Sequence, residues 1–336
     1  LLWREARRGE VIAAHEPGST AEFLTKRVAA LPGEEWGIRG GDLYADGEIV
    51  RKSLHDLREV RVLVHDNAFQ PRLAKGLPPR WQPADGNSRW KASSFGFAAD
   101  GNADDSAAFD WLQYHHWRCT ESSAPRAQSV PILDNDSYNQ NLSRQLNPVR
   151  DVLLACTVRT SGEGQLAFAA MDGSRRWEAR LDLGQRQMTL LDSGQPVLEK
   201  PFTVRFDRRA IPIEFGLCDG QVLLSVAGRI VVVWPYKLAK TEPPDVLDPL
   251  AIGAKSLDVQ VTDLKIWRDI YYLAPFGTAS RWQADQPLAA GEFALLGDNP
   301  PASEDSREWP GSGGISRSEF LGVVMRPFWA RSRSLP

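Results

Sequence analysis

Ile211-Pro212-Ile213-Glu214-Phe215-Gly216-Leu217-Cys218-Asp219-Gly220-Gln221-Val222-Leu223-Leu224-Ser225-Val226-Ala227-Gly228-Arg229-Ile230-Val231-Val232-Val233-Trp234 reads as three strands and two turns. β-Branched and aromatic residues fill the runs. Asp219-Gly220 separates the first two and Ala227-Gly228-Arg229 the next two, short Gly-containing connections of the kind antiparallel neighbours use. The same texture extends outward on both sides. Further strand candidates at 152–158, 165–170, 177–183, 187–191, 202–206, 250–254 and 257–267 follow at intervals of roughly 8–12 residues, the rhythm of a β-sandwich.

Toward the N-terminus the pattern loosens. From about residue 66 to 149 the chain is rich in Pro, Asn, Asp, Ser and Trp with weak periodicity, and is expected to be mostly loop, after one short strand at 61–65. The first 50 residues read again as strands between turns: apolar runs at 10–14 and 22–31, a forced turn at Pro32-Gly33, and a hairpin over 42–50 turning at Asp46-Gly47. At 336 residues two domains are the prior, and the expectation is an all-β protein.

Composition excludes several classes. Hydrophobic residues at 42% and charged residues at 25% describe an ordinary folded chain, and a net charge of -3 gives no reason to expect nucleic acid. Cys119, Cys156 and Cys218 lie far apart with no CxxC spacing, which argues against a zinc cluster or a disulfide framework. Cys156 and Cys218 sit in strand-like runs and are read as buried thiols. No run of 18 apolar residues is present, so the chain as given is not expected to span a membrane.

Two segments at opposite ends carry chemistry. The first is Thr25-Lys26-Arg27-Val28-Ala29-Ala30-Leu31-Pro32-Gly33-Glu34 followed by Gly41-Asp42-Leu43-Tyr44-Ala45-Asp46-Gly47. The second is Leu296-Gly297-Asp298-Asn299, then Ser303-Glu304-Asp305-Ser306-Arg307-Glu308-Trp309 and Leu321-Gly322. Together, and in this order, they resemble the boxes of type I signal peptidases, the serine/lysine S26 family: a Lys-Arg strand, Leu-Pro-Gly-acid, a Tyr-x-Asn-Gly-like hairpin, then Gly-Asp-Asn and Ser-x-Asp-Ser-Arg-x-Trp. Arg8-Gly9-Glu10-Val11-Ile12 is similar to the strand that precedes the lysine in that family. The intervening block resembles the concanavalin-like or laminin-G-like jelly rolls inserted in planctomycete-type members. The implied organisation is a catalytic domain in two parts, 1–59 and 276–336, split by an inserted β-sandwich, 60–275.

The resemblance implies that Lys26 is a general base. A serine hydroxyl is a poor nucleophile until something takes its proton, and an amine can do so when desolvation keeps it neutral. The apolar residues Phe23-Leu24 and Val28 to Leu31 beside Lys26 suit that requirement. Ser303 is implied to orient the amine, Asp305 and Arg307 to brace the loop as an ion pair, and Gly297 to keep the backbone clear of the lysine. Arg27, Asp298 and Asn299 are expected to fix the site and not to take part in bond breaking.

Departures from the family pattern stand beside the matches. Ala30 replaces a glycine, and Pro300-Pro301-Ala302 replaces Arg-Asp-Asn. The nucleophile's Ser-Met-x-Pro-Thr box has no match among residues 1–25, and Ser19 sits in a Gly-Ser-Thr turn without the Met and Pro. The expectation is therefore a serine and a membrane helix upstream of Leu1. The implied function is endoproteolytic removal of signal peptides from exported preproteins with small residues before the scissile bond. The catalytic face would lie outside the cytoplasmic membrane, and neither cofactor nor metal would be needed.

Other constellations are weaker. His115-His116 diverge on a strand or helix, so a shared metal is not expected. Asp134-Asn135-Asp136 offers oxygens of the kind calcium takes, but is read first as a solvated Asx turn. Trp81, Trp90, Trp111 and Trp117 are read as packing before any sugar platform. Two competing classes remain: a self-cleaving repressor-type protease, disfavoured by the Gly-Asp-Asn and Asp-Ser-Arg box, and a catalytically dead scaffold that binds through the sandwich.

Overall fold

The computed structural model describes residues 4–19, 21–69, 76–101, 108–119, 126–135, 139, 143–206, 209–238, 245–275 and 279–324. They form an all-β protein whose longest α-helix is Leu54–Val60. The chain divides into two compact units, one of Leu1–Val50, Tyr138–Arg144 and Tyr271–Pro336, the other of Arg51–Ser137 and Gln145–Ile270. Both divisions fall upstream of the joints expected from sequence, at 50/51 in place of 59/60 and at 270/271 in place of 275/276. Helix Leu54–Val60 buries Leu54 and Leu57 against Leu153, Cys218 and Leu223, so it belongs with the sandwich. At the other end, the Leu273 carbonyl is claimed by Arg307 of the smaller unit.

The helix was missed because it is short, although its start was readable. Ser53 accepts from the Asp56 N–H while the Asp56 carboxylate accepts from the Ser53 N–H, a capping box that meets two otherwise orphaned donors.

The larger unit is two antiparallel sheets. One runs, in spatial order, Gln195–Pro201, Gln187–Asp192, Arg175–Asp182, Gln165–Asp172, Leu250–Lys255, Asp110–Tyr114 and Trp81–Pro83. The other runs Arg229–Pro235, Gln221–Val226, Ile211–Cys218, Val152–Ser161, Asp258–Arg268, Gly96–Ala99 and Lys91–Ser93, with Val62–Asp66 also pairing to Asp258–Arg268. Alternate residues such as Leu154, Cys156 and Val158, or Leu166, Phe168 and Ala170, enter one shared core, where Phe168 and Phe215 meet at 6.1 Å between ring centroids.

The opening stretch folds as read, pairing Cys218 with Gln221 and Val226 with Arg229 across its two turns. Two expectations need correction. The strand sought at 202–206 is instead Gln195–Pro201, entered from a tight turn with Ser193 at φ 48° and Gly194 at φ 85°. Its side chains are mostly exposed, so no apolar signal marks it, whereas Phe202 and Phe206 are loop residues plugged into the core. The supposed loop region also contributes Trp81–Pro83, Gly96–Ala99 and Asp110–Tyr114 to the sheets, strands too short to show periodicity.

The smaller unit holds a five-stranded sheet in the order Ile315–Ser316, Glu292–Leu296, Phe23–Ala30, Val11–His15, Phe320–Val323. A four-stranded sheet runs Arg281–Gln283, Trp36–Arg39, Asp42–Ala45, Glu48–Ile49, with the predicted turn at Asp46-Gly47. Ile12, Ala14, Val28, Phe293, Leu295 and Ile315 form the core beneath the five-stranded sheet.

Candidate active site

Strand Phe23–Ala30 places Lys26 through simple alternation. Side chains two apart share a face, so Lys26 lies between Leu24 and Val28, both packed into the small core, while Thr25 and Phe23 fall on the other face. Phe23 is 72% exposed, which corrects the expectation that it shelters the lysine. Sequence neighbours are not strand-face neighbours; Leu24 and Val28 are the apolar flank.

The second box arrives on the neighbouring strand. Glu292–Leu296 pairs with the lysine strand through Arg27↔Leu296, Val28↔Leu295 and Ala30↔Ala294. The chain then turns at Gly297 and folds back upon itself. Leu295 N–H donates to Ser306 Oγ at 2.7 Å, Ser306 N–H to the Leu295 carbonyl at 3.0 Å, and Gly297 N–H to Asp305 Oδ2 at 2.9 Å. The result carries Ser303 to the lysine: Lys26 Nζ donates to Ser303 Oγ at 2.7 Å, joining residues 277 positions apart. Both are half-buried.

Gly297 has a steric reason to be glycine. A Cβ there would come within 2.1 Å of Ser303 Oγ and 3.4 Å of Lys26 Nζ, distances at which the serine would have to move. Gly297→Ala is therefore expected to push Ser303 Oγ away from Lys26 Nζ. A crystal structure of the variant measures this, and an unchanged contact at 2.7 Å would show that the glycine is not needed for it.

The bracing pair is present as expected. Arg307 donates through Nε to Asp305 Oδ1 at 2.7 Å and through Nη2 to Asp305 Oδ2 at 2.8 Å. The same guanidinium reaches the Leu273 carbonyl at 2.8 Å and the Ser303 carbonyl at 3.1 Å. Four hydrogen bonds from one guanidinium thus tie the Leu273 and Ser303 carbonyls to the Asp305 carboxylate that holds Gly297. Burial beside the Asp305 carboxylate also raises the neighbouring Glu308 carboxyl above its ordinary value.

Arg27 forms a two-point pair with Asp298, Nε to Oδ1 at 2.9 Å and Nη2 to Oδ2 at 2.7 Å, and donates to the Gly9 carbonyl at 2.7 Å. Asp298 thus fixes the loop to the lysine strand. Asn299 exchanges amide hydrogen bonds with Asn139, a partner 160 positions away that no local signal could have identified. Arg8 and Glu34, quoted in the sequence boxes but not singled out, pair with each other, and Glu34 accepts from the Leu31 N–H at 2.7 Å. Ser19 Oγ caps its own turn by accepting from the N–H groups of Ala21 and Glu22.

The weaker candidates resolve apart. His115 faces Asp248 and Ser129, whereas His116 faces Tyr114 and Arg80. Asp134 is buried and not a solvated turn residue: both its oxygens accept from Asn147. Asp136 lies outside the described residues. Trp81 and Trp90 are in the sandwich core, Trp117 is buried under Arg80, and Trp111 lies under Arg176.

Comparison with known proteins bears on the first of these boxes. The family model described as "Signal peptidase, peptidase S26" matches residues 3–82, which include Lys26 and the Leu-Pro-Gly segment and relate this part of the chain to that family. No curated protein matches. Among solved structures, the carbohydrate-binding module CBM66 of Bacillus subtilis is 8% identical with a TM-score of 0.36, covering 56% of this chain and 94% of its own. A tetrameric galectin from the ball sponge Cinachyrella is 20% identical with a TM-score of 0.28, covering 37% and 94%. The exoplasmic/lumenal domain of VIP36 is 8% identical with a TM-score of 0.34, covering 60% and 88%.

Proposed function

We propose that this chain is the base-bearing part of a signal-peptidase-type serine endopeptidase that removes signal peptides from exported preproteins. The observation that carries the reading is the 2.7 Å contact from Lys26 Nζ to Ser303 Oγ, assembled under Gly297 from two boxes at opposite ends of the sequence. Lys26 takes the proton of a serine hydroxyl supplied by the segment that precedes the Arg8-Gly9-Glu10 strand in this family. Ser303 orients the amine, and Asp305 and Arg307 hold the loop that carries it.

Substrate binding has a natural place. Strand Glu292–Leu296 pairs with residues 27–30 and then turns away, so on that side residues 23–26 have no strand partner among the described residues. Main-chain groups beside Lys26 are free to take an extended peptide by strand addition, with small side chains fitting next to the base. No helix among the described residues is long and apolar enough to cross a membrane. Location at the outer face of the cytoplasmic membrane therefore rests on the family reading and on an anchor outside this sequence.

The test uses the full-length protein. With its upstream segment it is expected to fractionate with membranes and to cleave a preprotein bearing Ala before the scissile bond, whereas the 336-residue chain alone is expected not to cleave. Recovery of the full-length protein in the soluble cytoplasmic fraction, or full activity of the 336-residue chain, would count against the proposal.

A second reading, a binding role for the sandwich, has one observation in its favour. A cleft of about 490 Å³ opens in the larger unit, lined by Thr160, Glu163, Arg186 and Arg205 among others. Cavities of that size are sufficient for small-molecule ligands. A full-length protein that binds glycan but cleaves no preprotein would favour this reading over the peptidase.

A further inference from the structure

The sandwich contains a buried charge cluster that proteolysis does not use. Lys52 Nζ lies 2.7 Å from Asp219 Oδ1 and 2.9 Å from Asp269 Oδ2, and the three side chains are 15%, 0% and 2% exposed. Asp151, also buried, accepts from the Asp219 N–H at 2.7 Å. One potential ligand atom from each of Asp151, Cys218, Asp219 and Asp269 falls within 4.8 Å of the others. An ammonium already stands among these carboxylates, which makes the group a lysine site and not a vacant metal site. Leu54, Leu57, Leu153 and Leu223 pack beside Cys218 and keep the surroundings apolar.

Three ionised carboxylates against one ammonium would leave uncompensated charge in the interior, which is strongly unfavourable. Burial and the neighbouring Asp219 and Asp269 push the Asp151 carboxyl up to about 7, and burial pushes Asp269 up to about 6. A proton is thus held within the cluster near neutral pH.

The hydrogen bonds single out one carboxyl. Asp219 is fully engaged, Oδ1 by Lys52 Nζ and Oδ2 by the Lys52 N–H and the Cys218 thiol. Asp269 is not: its Oδ1 is buried with no hydrogen-bond partner. A carboxyl oxygen left in this state costs its full desolvation and gains nothing in return. Its loss would remove that penalty.

We propose that Lys52 and Asp269 condense into an intramolecular isopeptide bond, a self-formed crosslink from Lys52 Nζ to Asp269 Cγ. Against the opposing effect of burial, Asp219 and Asp269 hold the Lys52 ammonium well above its ordinary value, so the step begins with transfer of one of its protons to the Asp269 carboxylate; the freed lone pair then adds to Asp269 Cγ, and the carbon–Oδ1 bond breaks. Two of the three protons of the original ammonium leave with Oδ1 as water. The third stays on the amide nitrogen, facing Asp219 Oδ1. Asp151, which has a carboxylate oxygen within 4.8 Å of one of Asp269, would relay the proton to the departing oxygen once the two move into contact. No oxidant or other reactant is required, and the 2.9 Å ion pair already holds the amine beside the carboxyl it attacks, which makes the reaction intramolecular.

The position gives the bond a purpose. Lys52 is the second residue of the larger unit and Asp269 its last but one. The crosslink would tie the point where the chain enters the sandwich to the point where it leaves, closing a loop over nearly the whole insertion. Such closure restricts the unfolded chain as a long-loop disulfide does, in a form no reductant can open.

The intact mass of the folded 336-residue chain decides the matter. The expected mass is lower than the sequence mass by one water, and proteolytic digestion should release a branched peptide joining Lys52 to Asp269. Lys52→Arg and Asp269→Ala should restore the full mass of their own sequences and lose the branched peptide. Asp269→Asn should still crosslink, now releasing ammonia. Asp151→Asn should slow the mass change after refolding by about 10²-fold or more, as expected for a lost proton-transfer group. An unmodified mass for the folded wild-type chain, or a branch at Asp219 instead of Asp269, overturns the proposal, and the wild-type measurement holds whether or not the variants fold.

Discussion

In the full-length protein, Lys26→Arg is expected to abolish preprotein cleavage as completely as Lys26→Ala. Arginine keeps the positive charge and can donate to Ser303, so a purely structural lysine would tolerate it in part. A guanidinium stays protonated at any working pH and cannot accept the serine proton. Loss of a general base typically costs about 10²- to 10⁴-fold in rate, and more where the nucleophile depends on it wholly. On the proposed roles Ser303→Ala should cost less, because Ser303, 2.7 Å from the amine, would orient it while Lys26 takes the nucleophile's proton. Cleavage kinetics on the three variants separate the roles. Wild-type turnover by Lys26→Arg would remove Lys26 as base, and a complete loss in Ser303→Ala would promote Ser303 from orienting group to nucleophile.

The second large effect lies in the brace. Arg307 and Asp305 are 1% and 0% exposed, so this is a fully desolvated pair and not a surface ion pair. Arg307→Ala leaves the Asp305 carboxylate buried without its cation, a change that usually destabilises by about 3–5 kcal/mol. It also frees the carbonyls of Leu273 and Ser303. The expected result in denaturant titration is a large fall in the unfolding midpoint of the smaller unit, with loss of cleavage in the full-length protein. Replacing both partners, Asp305→Ala with Arg307→Met, should recover much of the stability but not the activity, because Gly297 N–H would still lack its acceptor. A loss below about 1 kcal/mol for Arg307→Ala would place the pair with ordinary surface bridges.

The site and the sandwich were legible to different depths. Lys26, Gly297, Ser303, Asp305 and Arg307 could be named because each belongs to a short sequence box, and short boxes survive a large insertion. The environment of Lys26 was misjudged, since the apolar residues next to it in sequence, Phe23 above all, are not its neighbours on the strand face. The sandwich strands with a buried alternating face were readable, Ile211–Cys218 to the residue. Gln195–Pro201 was not, because an exposed edge strand has no apolar period to show.

By itself the sequence determined the all-β character, the two turns at Asp219-Gly220 and Ala227-Gly228, and the residue types of the lysine and serine boxes. Each of these depends on local propensity, on period-two burial or on a motif, which are properties of a few consecutive residues. Tertiary structure alone decided that Ser303 meets Lys26 across 277 positions, that Asn139 holds Asn299, and that Lys52 stands buried between Asp219 and Asp269. Those contacts join segments brought together by sheet registers and loop closures, and only the last of them is a buried pairing of charges. No window of the sequence contains both partners of any of them.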